Sequence, residues 1–146
     1  MIDGVQITPK RIIADERGSV MHVLRSDQPQ YKGFGEVYFS TVKPGVVKAW
    51  KLHTRMTMNI IVPCGCLRFV LFDARENSPT YGKLQDVVIG ENNYSLLTVP
   101  PGIWNGFRGE SDQTSFLVNC SNILHEPEEG LRLDADDPSI PYKWTP

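Results

Sequence analysis

The sequence lacks the features of a secreted, membrane-spanning or nucleic-acid-binding protein. It has only three cysteines in 146 residues, and Cys64 and Cys66 are too close to bridge each other without strain. No apolar run approaches the roughly 18 residues of a membrane span, and the start has no basic or apolar leader. The formal net charge is −2, so there is no basic excess for nucleic acid. We expect free thiols and a cytoplasmic location, without membrane or nucleic-acid partners.

Helical periodicity is missing as well, since no window of a dozen residues sustains 3.6-residue apolar spacing. Short β-rich runs recur instead, separated by turn signals such as Lys43-Pro44-Gly45 and Pro100-Pro101-Gly102. The predicted strands cover residues 36–42, 46–53, 58–62, 66–72, 94–99 and 115–120. Many short strands without crossover helices predict one all-β domain over residues 1–146, of the sandwich or barrel type.

One predicted strand, residues 66–72, is apolar on both of its faces. Leu67, Phe69 and Leu71 point one way, while Val70 and Phe72 point the other way. We expect this strand to be covered on both sides, which fits an outer sheet that packs against a partner subunit. In the tail, apolar residues alternate at Ile140, Tyr142 and Trp144, and we expect them to be buried in an ordered, extended segment.

Several motifs between about residue 12 and residue 144 occur together in one known family. They are Asp15-Glu16-Arg17-Gly18, the segment 45–53, the run 72–82 with Ser78-Pro79-Thr80-Tyr81-Gly82, the segment 99–107 and the close Asp137-Pro138 to Trp144. In this combination the chain resembles the dTDP-4-dehydrorhamnose 3,5-epimerases of deoxysugar synthesis. The resemblance implies a double-stranded β-helix, the jelly roll of the cupins. Most of these motifs are turns, and we interpret Gly82 and Gly102 as structural.

The reaction of that family removes a proton from C3 and then C5 of a 4-keto sugar, and it returns the proton on the other face. Such chemistry needs a base, an acid and a cation for the enolate, without a metal or redox cofactor. In a gap-free register the catalytic His of the family falls on Lys51, with His53 two residues further on. Because side chains alternate along a strand, Lys51 and His53 share one face, and either of them is a candidate base.

The other family residues that carry the chemistry are replaced. The resemblance places the family's Lys near Met58 and its Tyr at or near Val118, and the chain ends where the segment with the orienting Asp would begin. Tyr38 and Tyr94 are the alternative acids, although such tyrosines are more often core residues with a satisfied hydroxyl.

Substrate binding has its own set of candidates. Arg17 and Lys48 match two positions that contact the nucleotide in the family, and Arg55 is a third cation for a pyrophosphate. Arg17 is alternatively part of a salt bridge at a dimer edge. Trp104 could stack on a base or sugar, as could Trp50 if it is not a core residue. Asn105 stands where the family has the His of its A-H-G-F segment.

Three functions remain open at this point. The first is an epimerase or isomerase that acts on a dTDP-linked or other nucleotide-linked 4-keto-6-deoxy sugar. The second is a non-catalytic module that binds a nucleotide sugar or another small ligand. The third is a metal cupin, which the absence of an H-x-H pair disfavours. The doubly apolar strand and the resemblance also predict a homodimer.

Overall fold

The computed structural model describes residues 1–146, and strands dominate it. The only helical element is a 3₁₀ turn, Pro127–Glu129, and no helix is long and apolar enough to cross a membrane. The all-β prediction is therefore confirmed. The strands are β1 (Gln6–Pro9), β2 (Ile12–Asp15), β3 (Gly18–Met21), β4 (Glu36–Val42), β5 (Val47–His53), β6 (Met58–Cys64), β7 (Cys66–Asp73), β8 (Leu84–Gly90), β9 (Ser95–Val99), β10 (Ile103–Gly109), β11 (Ser115–Ser121) and β12 (Gly130–Arg132).

Two five-stranded antiparallel sheets pack face to face. Sheet I has the order β1-β9-β6-β11-β4, and sheet II has the order β12-β5-β10-β7-β8. Strands β2 and β3 form a separate hairpin. Apart from β7 and β8, neighbours in each sheet are not consecutive in sequence, as in a jelly roll, so the predicted fold class is confirmed.

The main core fills one part of the space between the sheets. It contains Leu67, Phe69 and Leu71 of β7, on the face that strand alternation predicts, and all three are fully buried. Sheet I contributes residues such as Ile60 and Leu97. Burying a side chain of this size stabilises the fold by about 1.5–3 kcal/mol. Met58, Ile60 and Leu117 of this core also line the cavity between the sheets.

The outward face of sheet II is covered by the chain's own C-terminal segment. Trp50, Val70 and Ile140 are buried there in one cluster. Tyr142 and Trp144 pack on Trp50, with ring centroids 6.2 and 5.3 Å from its own. The expected burial of the tail is confirmed. The suggestion that a partner subunit covers this face of β7 was wrong, because the same chain already covers it.

The turn after β7 is organised by a buried carboxylate, Asp73. It accepts hydrogen bonds from Ser78 Oγ at 2.6 Å, Thr80 Oγ1 at 2.7 Å and Arg75 Nε at 2.8 Å. Burial alone would raise the pKa of Asp73, but these donors outweigh it and hold the pKa well below its usual range. The Ser78-Pro79-Thr80 motif therefore has a structural role, since it holds the turn together through Asp73. Gly82 follows it with a φ of +79°.

Candidate active site

A cavity of about 670 Å³ opens between the two sheets. Sheet I forms one wall, with Tyr38, Ser40, Met58, Ile60, Leu117 and Asn119. Sheet II forms the opposite wall, with Lys48, Lys51, His53, Asn105 and Phe107. Ala49 and Trp50 also border the cavity, although both pack into the cluster on the outward face of the sheet. The segment after β12 borders the cavity with Arg132, Leu133, Asp134 and Asp137. A cavity of this size suits a small organic ligand.

The most distinctive feature of the cavity is a buried histidine–carboxylate pair. His53, at the end of β5, is 4% exposed, and Glu129, at the end of the 3₁₀ turn, is 2% exposed. His53 Nδ1 lies 2.6 Å from Glu129 Oε2. Glu129 Oε1 accepts hydrogen bonds from the backbone N–H groups of Arg55 at 3.0 Å and Met56 at 2.8 Å. These contacts fix the carboxylate, which in turn orients the imidazole.

The surroundings of this pair determine its protonation. Burial alone would raise the pKa of Glu129, but the hydrogen bonds from His53, Arg55 and Met56 outweigh it and hold that pKa below its ordinary value. Burial lowers the pKa of His53, and the neighbouring Glu129 only partly opposes this effect. The imidazole is therefore neutral near pH 7, and its proton is on Nδ1, facing the ionised carboxylate. The unprotonated Nε2 is then available as a base.

Lys51 lines the same wall two residues before His53. Burial lowers the pKa of Lys51, and so does the nearby Arg132, while Glu129 opposes both.

Pairing with β10 shows why Lys48 also reaches the cavity. Asn105 pairs with Lys51 and Phe107 with Lys48, so β5 contains one extra residue between the two lysines. This bulge brings Lys48 to the face that Lys51 and His53 occupy.

Two of the predicted binding residues, Lys48 and Asn105, line the cavity. Lys48 Nζ donates hydrogen bonds to Ser40 Oγ at 3.2 Å and to the Thr41 carbonyl at 2.8 Å, and it thereby links the two sheets. Asn105 Nδ2 donates to the Lys51 carbonyl at 2.8 Å, which leaves its own carbonyl oxygen free for a ligand. Their role in binding stays a prediction.

The other three predicted binding residues lie outside the cavity walls. Arg17 is exposed at the turn of the β2–β3 hairpin and forms an ion pair of 2.6 Å with Asp15. Arg55 is exposed and pairs with Glu126. Trp104 packs in the cluster on the outward face of sheet II. None of the three is among the residues that line the cavity.

The wall formed by sheet I carries one of the two tyrosines that the sequence offers as alternative acids. Tyr38 lines the cavity, and Asn119 Nδ2 donates a hydrogen bond to Tyr38 Oη at 3.1 Å. Tyr94 packs against Ile61 and Leu96 in a separate cluster, away from the cavity. The same cluster contains Val118, so the residues of β11 that face the cavity are its neighbours Leu117 and Asn119.

The residue that orients His53, Glu129, cannot be singled out from the sequence. Glu129 lies in a polar turn, Glu126-Pro127-Glu128-Glu129, where three carboxylates are chemically equivalent by sequence. Only the fold separates them, because Gly130 pairs with His53 and so brings the preceding residue beside the imidazole. No group of three or more His, Cys, Asp or Glu side chains comes together in a way that could hold a metal ion.

A family model described as dTDP-4-dehydrorhamnose 3,5-epimerase matches residues 1–146, which is the whole chain. The chain belongs to this family. Among solved structures, it is similar to the dTDP sugar isomerase of Desulfovibrio desulfuricans G20, with a TM-score of 0.95 and 46% identity over 98% of this chain and 92% of that one. The resemblance inferred from the motifs is confirmed.

Two relatives extend the family assignment towards glycan synthesis. The chain is 36% identical to the probable low-salt glycan biosynthesis epimerase Agl13 of Haloferax volcanii, over 97% of this chain and 88% of that protein. It is 32% identical to the spore coat polysaccharide biosynthesis protein SpsL of Bacillus subtilis, over 99% of this chain and 97% of that protein. The function class predicted from the sequence, an epimerase-like protein of polysaccharide synthesis, is therefore supported.

Proposed function

We propose that this chain epimerises a nucleotide-linked 4-keto-6-deoxy sugar, with His53 as the base. The observation that carries this proposal is the His53–Glu129 pair, in which a buried carboxylate orients an imidazole at the wall of a ligand-sized cavity. Neutral His53 would take the proton from a carbon beside the sugar carbonyl. The electrons of the broken C–H bond would move onto the carbonyl oxygen and form an enolate.

Lys51 is the group that we propose to stabilise this enolate. Its ammonium lies on the same wall as His53, in a half-buried position where a charge acts more strongly than it does in water. Lys51 would therefore act mainly as a cation, and His53 as the base. This division of roles suits a family member that has Met58 where the resemblance places the family's lysine.

The nucleotide and sugar are proposed to bind along the open side of the cavity. Lys48 and Arg132 supply positive charge for a pyrophosphate, and Asn105 supplies a polar group for the sugar. One structural neighbour is a Legionella pneumophila epimerase described in complex with dTDP-4-keto-L-rhamnose. That neighbour is only 23% identical to this chain, so its ligand suggests which substrate to test first.

Solvent exchange provides the direct test. The protein is incubated in D₂O with dTDP-4-keto-6-deoxyglucose, and NMR follows deuterium at C3 and C5 together with the configuration at each carbon. We expect deuterium to enter and inverted product to form. Binding of the sugar nucleotide without any exchange would instead support a non-catalytic binding module, which the replacement of the family's lysine and tyrosine keeps open.

We further propose that two copies of the chain associate, in a reducing, cytoplasmic compartment. Strand β4 lies at the edge of sheet I, and its outward face exposes Val37 and Phe39, the latter at 69%. The β2–β3 hairpin also exposes apolar side chains, including Ile13 and Val20. An apolar edge strand of this kind favours pairing with a second copy. The three free thiols suit a reducing compartment.

A further inference from the structure

The cavity wall opposite His53 carries a polar pair that the steps above do not use. Tyr38 and Asn119 are direct partners in the pairing of β4 with β11. Asn119 Nδ2 donates to Tyr38 Oη at 3.1 Å. Because the phenol oxygen accepts this hydrogen bond, its own proton remains available to a ligand in the cavity.

Asn119 gives a second, independent sign that this wall meets a ligand. The residue is 1% exposed, and its Oδ1 is buried without any hydrogen-bond partner. Its neighbours in the wall, Ile60 and Leu117, are apolar. Buried amide oxygens in proteins nearly always have a donor, so an unpartnered one in a cavity wall is a place where a ligand hydroxyl can donate a hydrogen bond.

The two walls are arranged as an inversion requires. Tyr38 and Asn119 belong to sheet I, while His53 and Lys51 belong to sheet II. Packed sheets lie about 10 Å apart, which leaves room for one sugar ring between them. A ring bound between the sheets would present one face to His53 and the other face to Tyr38.

We propose that Tyr38, positioned by Asn119, returns the proton on the face opposite to His53. This inference rests on the proposed function. After His53 has taken the proton, the enolate electrons re-form the carbonyl, and the carbon takes the phenolic proton of Tyr38. The phenolate then regains a proton from solvent, and protonated His53 loses one to solvent, so both groups return to their starting states.

Loss of the Tyr38 phenol should change the products of the reaction in a measurable way. Without the phenolic proton, an enolate can still form, but only the group on the original face can return a proton. Deuterium from solvent would then enter the sugar with retention of configuration. Loss of Tyr38 should therefore separate exchange from inversion.

The decisive experiment compares Tyr38→Phe with wild-type protein in D₂O and measures inverted product and deuterium incorporation in the same sample. We expect inversion to fall by about 100-fold or more, while exchange stays within a few-fold of wild type. The matched control is Tyr81→Phe, because Tyr81 is 61% exposed on a distant turn. It should leave both rates unchanged. Retained exchange also shows that the variant is folded.

Asn119→Leu tests the positioning role. It should lower inversion relative to exchange in the same direction as Tyr38→Phe, a ratio that a merely structural defect would not change. Wild-type activity together with full inversion by Tyr38→Phe would overturn this assignment alone. Equal loss of exchange and inversion in Tyr38→Phe, at unchanged melting temperature, would also overturn it. A wild-type chain without exchange or inversion would overturn the proposed function, and this assignment with it.

Discussion

Glu129 and Asp73 are both buried carboxylates, and their partners give them different roles. Asp73 accepts all of its hydrogen bonds from its own turn, through Arg75, Ser78 and Thr80. Glu129 uses one oxygen for the backbone and the other for His53, which faces a cavity. Because the other ring nitrogen of His53 is free to meet a ligand in the cavity, Glu129 is the carboxylate that we expect to support catalysis.

Glu129→Gln should abolish exchange by reversing the imidazole tautomer. The amide oxygen can still accept from the backbone of Arg55 and Met56, so its NH₂ would face Nδ1 and the imidazole proton would move to Nε2. We expect the exchange rate at C3 and C5 to fall by about 10²–10⁴-fold. Glu128→Gln is the matched control, since Glu128 is the exposed neighbour in the same turn. Equal effects of both substitutions would contradict the assigned role of Glu129.

The pH dependence of exchange should show two limbs. On the acid side, activity should rise through a pKa below 6.5, because burial lowers the pKa of His53 and the neutral form is the base. On the alkaline side, it should fall through a pKa below 10.5, because burial lowers the pKa of Lys51 and the cation stabilises the enolate.

Lys51→Met should remove the alkaline limb and leave the acid limb in place, as measured by exchange rates across the pH range. An unchanged profile in this variant would exclude Lys51 as the titrating cation.

The pH dependence of stability gives a second readout for His53. The folded chain binds this proton less tightly than the unfolded chain does, so the free energy of unfolding should fall as the pH drops below 6.5.

At the scale of elements, the sequence predicts six of the twelve strands and misses the other six. The predicted strand 36–42 coincides with β4, and the other five predictions agree with observed strands to within two residues at either end. The strands without a predicted counterpart are β1, β2, β3, β8, β10 and β12. Of these, β10 lines the site; it begins after Pro101-Gly102 and contains Asn105, Gly106 and Arg108, which interrupt any apolar pattern. Tertiary pairing with β5 and β7 outweighs its weak local preference.

The bulge in β5 explains why the candidate site was harder to predict than the fold. A gap-free comparison assumes strict alternation, yet the extra residue between Lys48 and Lys51 changes which side chains share a face. Glu129 lies 76 residues from His53 and belongs to another element, so no local pattern links the two. Strand alternation did predict that Lys51 and His53 share one wall.

The turns at Gly82 and Gly102 should differ in their sensitivity to substitution. Both glycines have positive φ, +79° and +85°, which costs a β-branched residue about 1–3 kcal/mol. A Cβ at Gly102 would also lie 2.7 Å from Arg75 Cγ, whereas nothing lies near Gly82. Gly102→Val should therefore destabilise the protein more than Gly82→Val in urea titrations. Selective loss of ligand binding at unchanged stability would show that these turns belong to the site instead.

At the scale of the whole molecule, the proposed dimer makes one clear prediction. Phe39→Glu places a charge on the exposed edge strand β4 and should shift the apparent mass in light scattering towards one chain of 16.5 kDa. Tyr81→Glu is the control, because Tyr81 is similarly exposed on a turn. An apparent mass near one chain for the wild type at micromolar concentration would contradict the dimer itself.

The C-terminal segment that covers sheet II also gives the molecule a natural optical probe. The chain has three tryptophans, and all of them, Trp50, Trp104 and Trp144, lie in or against that one cluster. Intrinsic indole emission therefore comes from a single place, where the tail docks beside the segment that borders the cavity. A red shift that precedes the loss of circular dichroism during denaturation would mark release of the tail as a separate, earlier event.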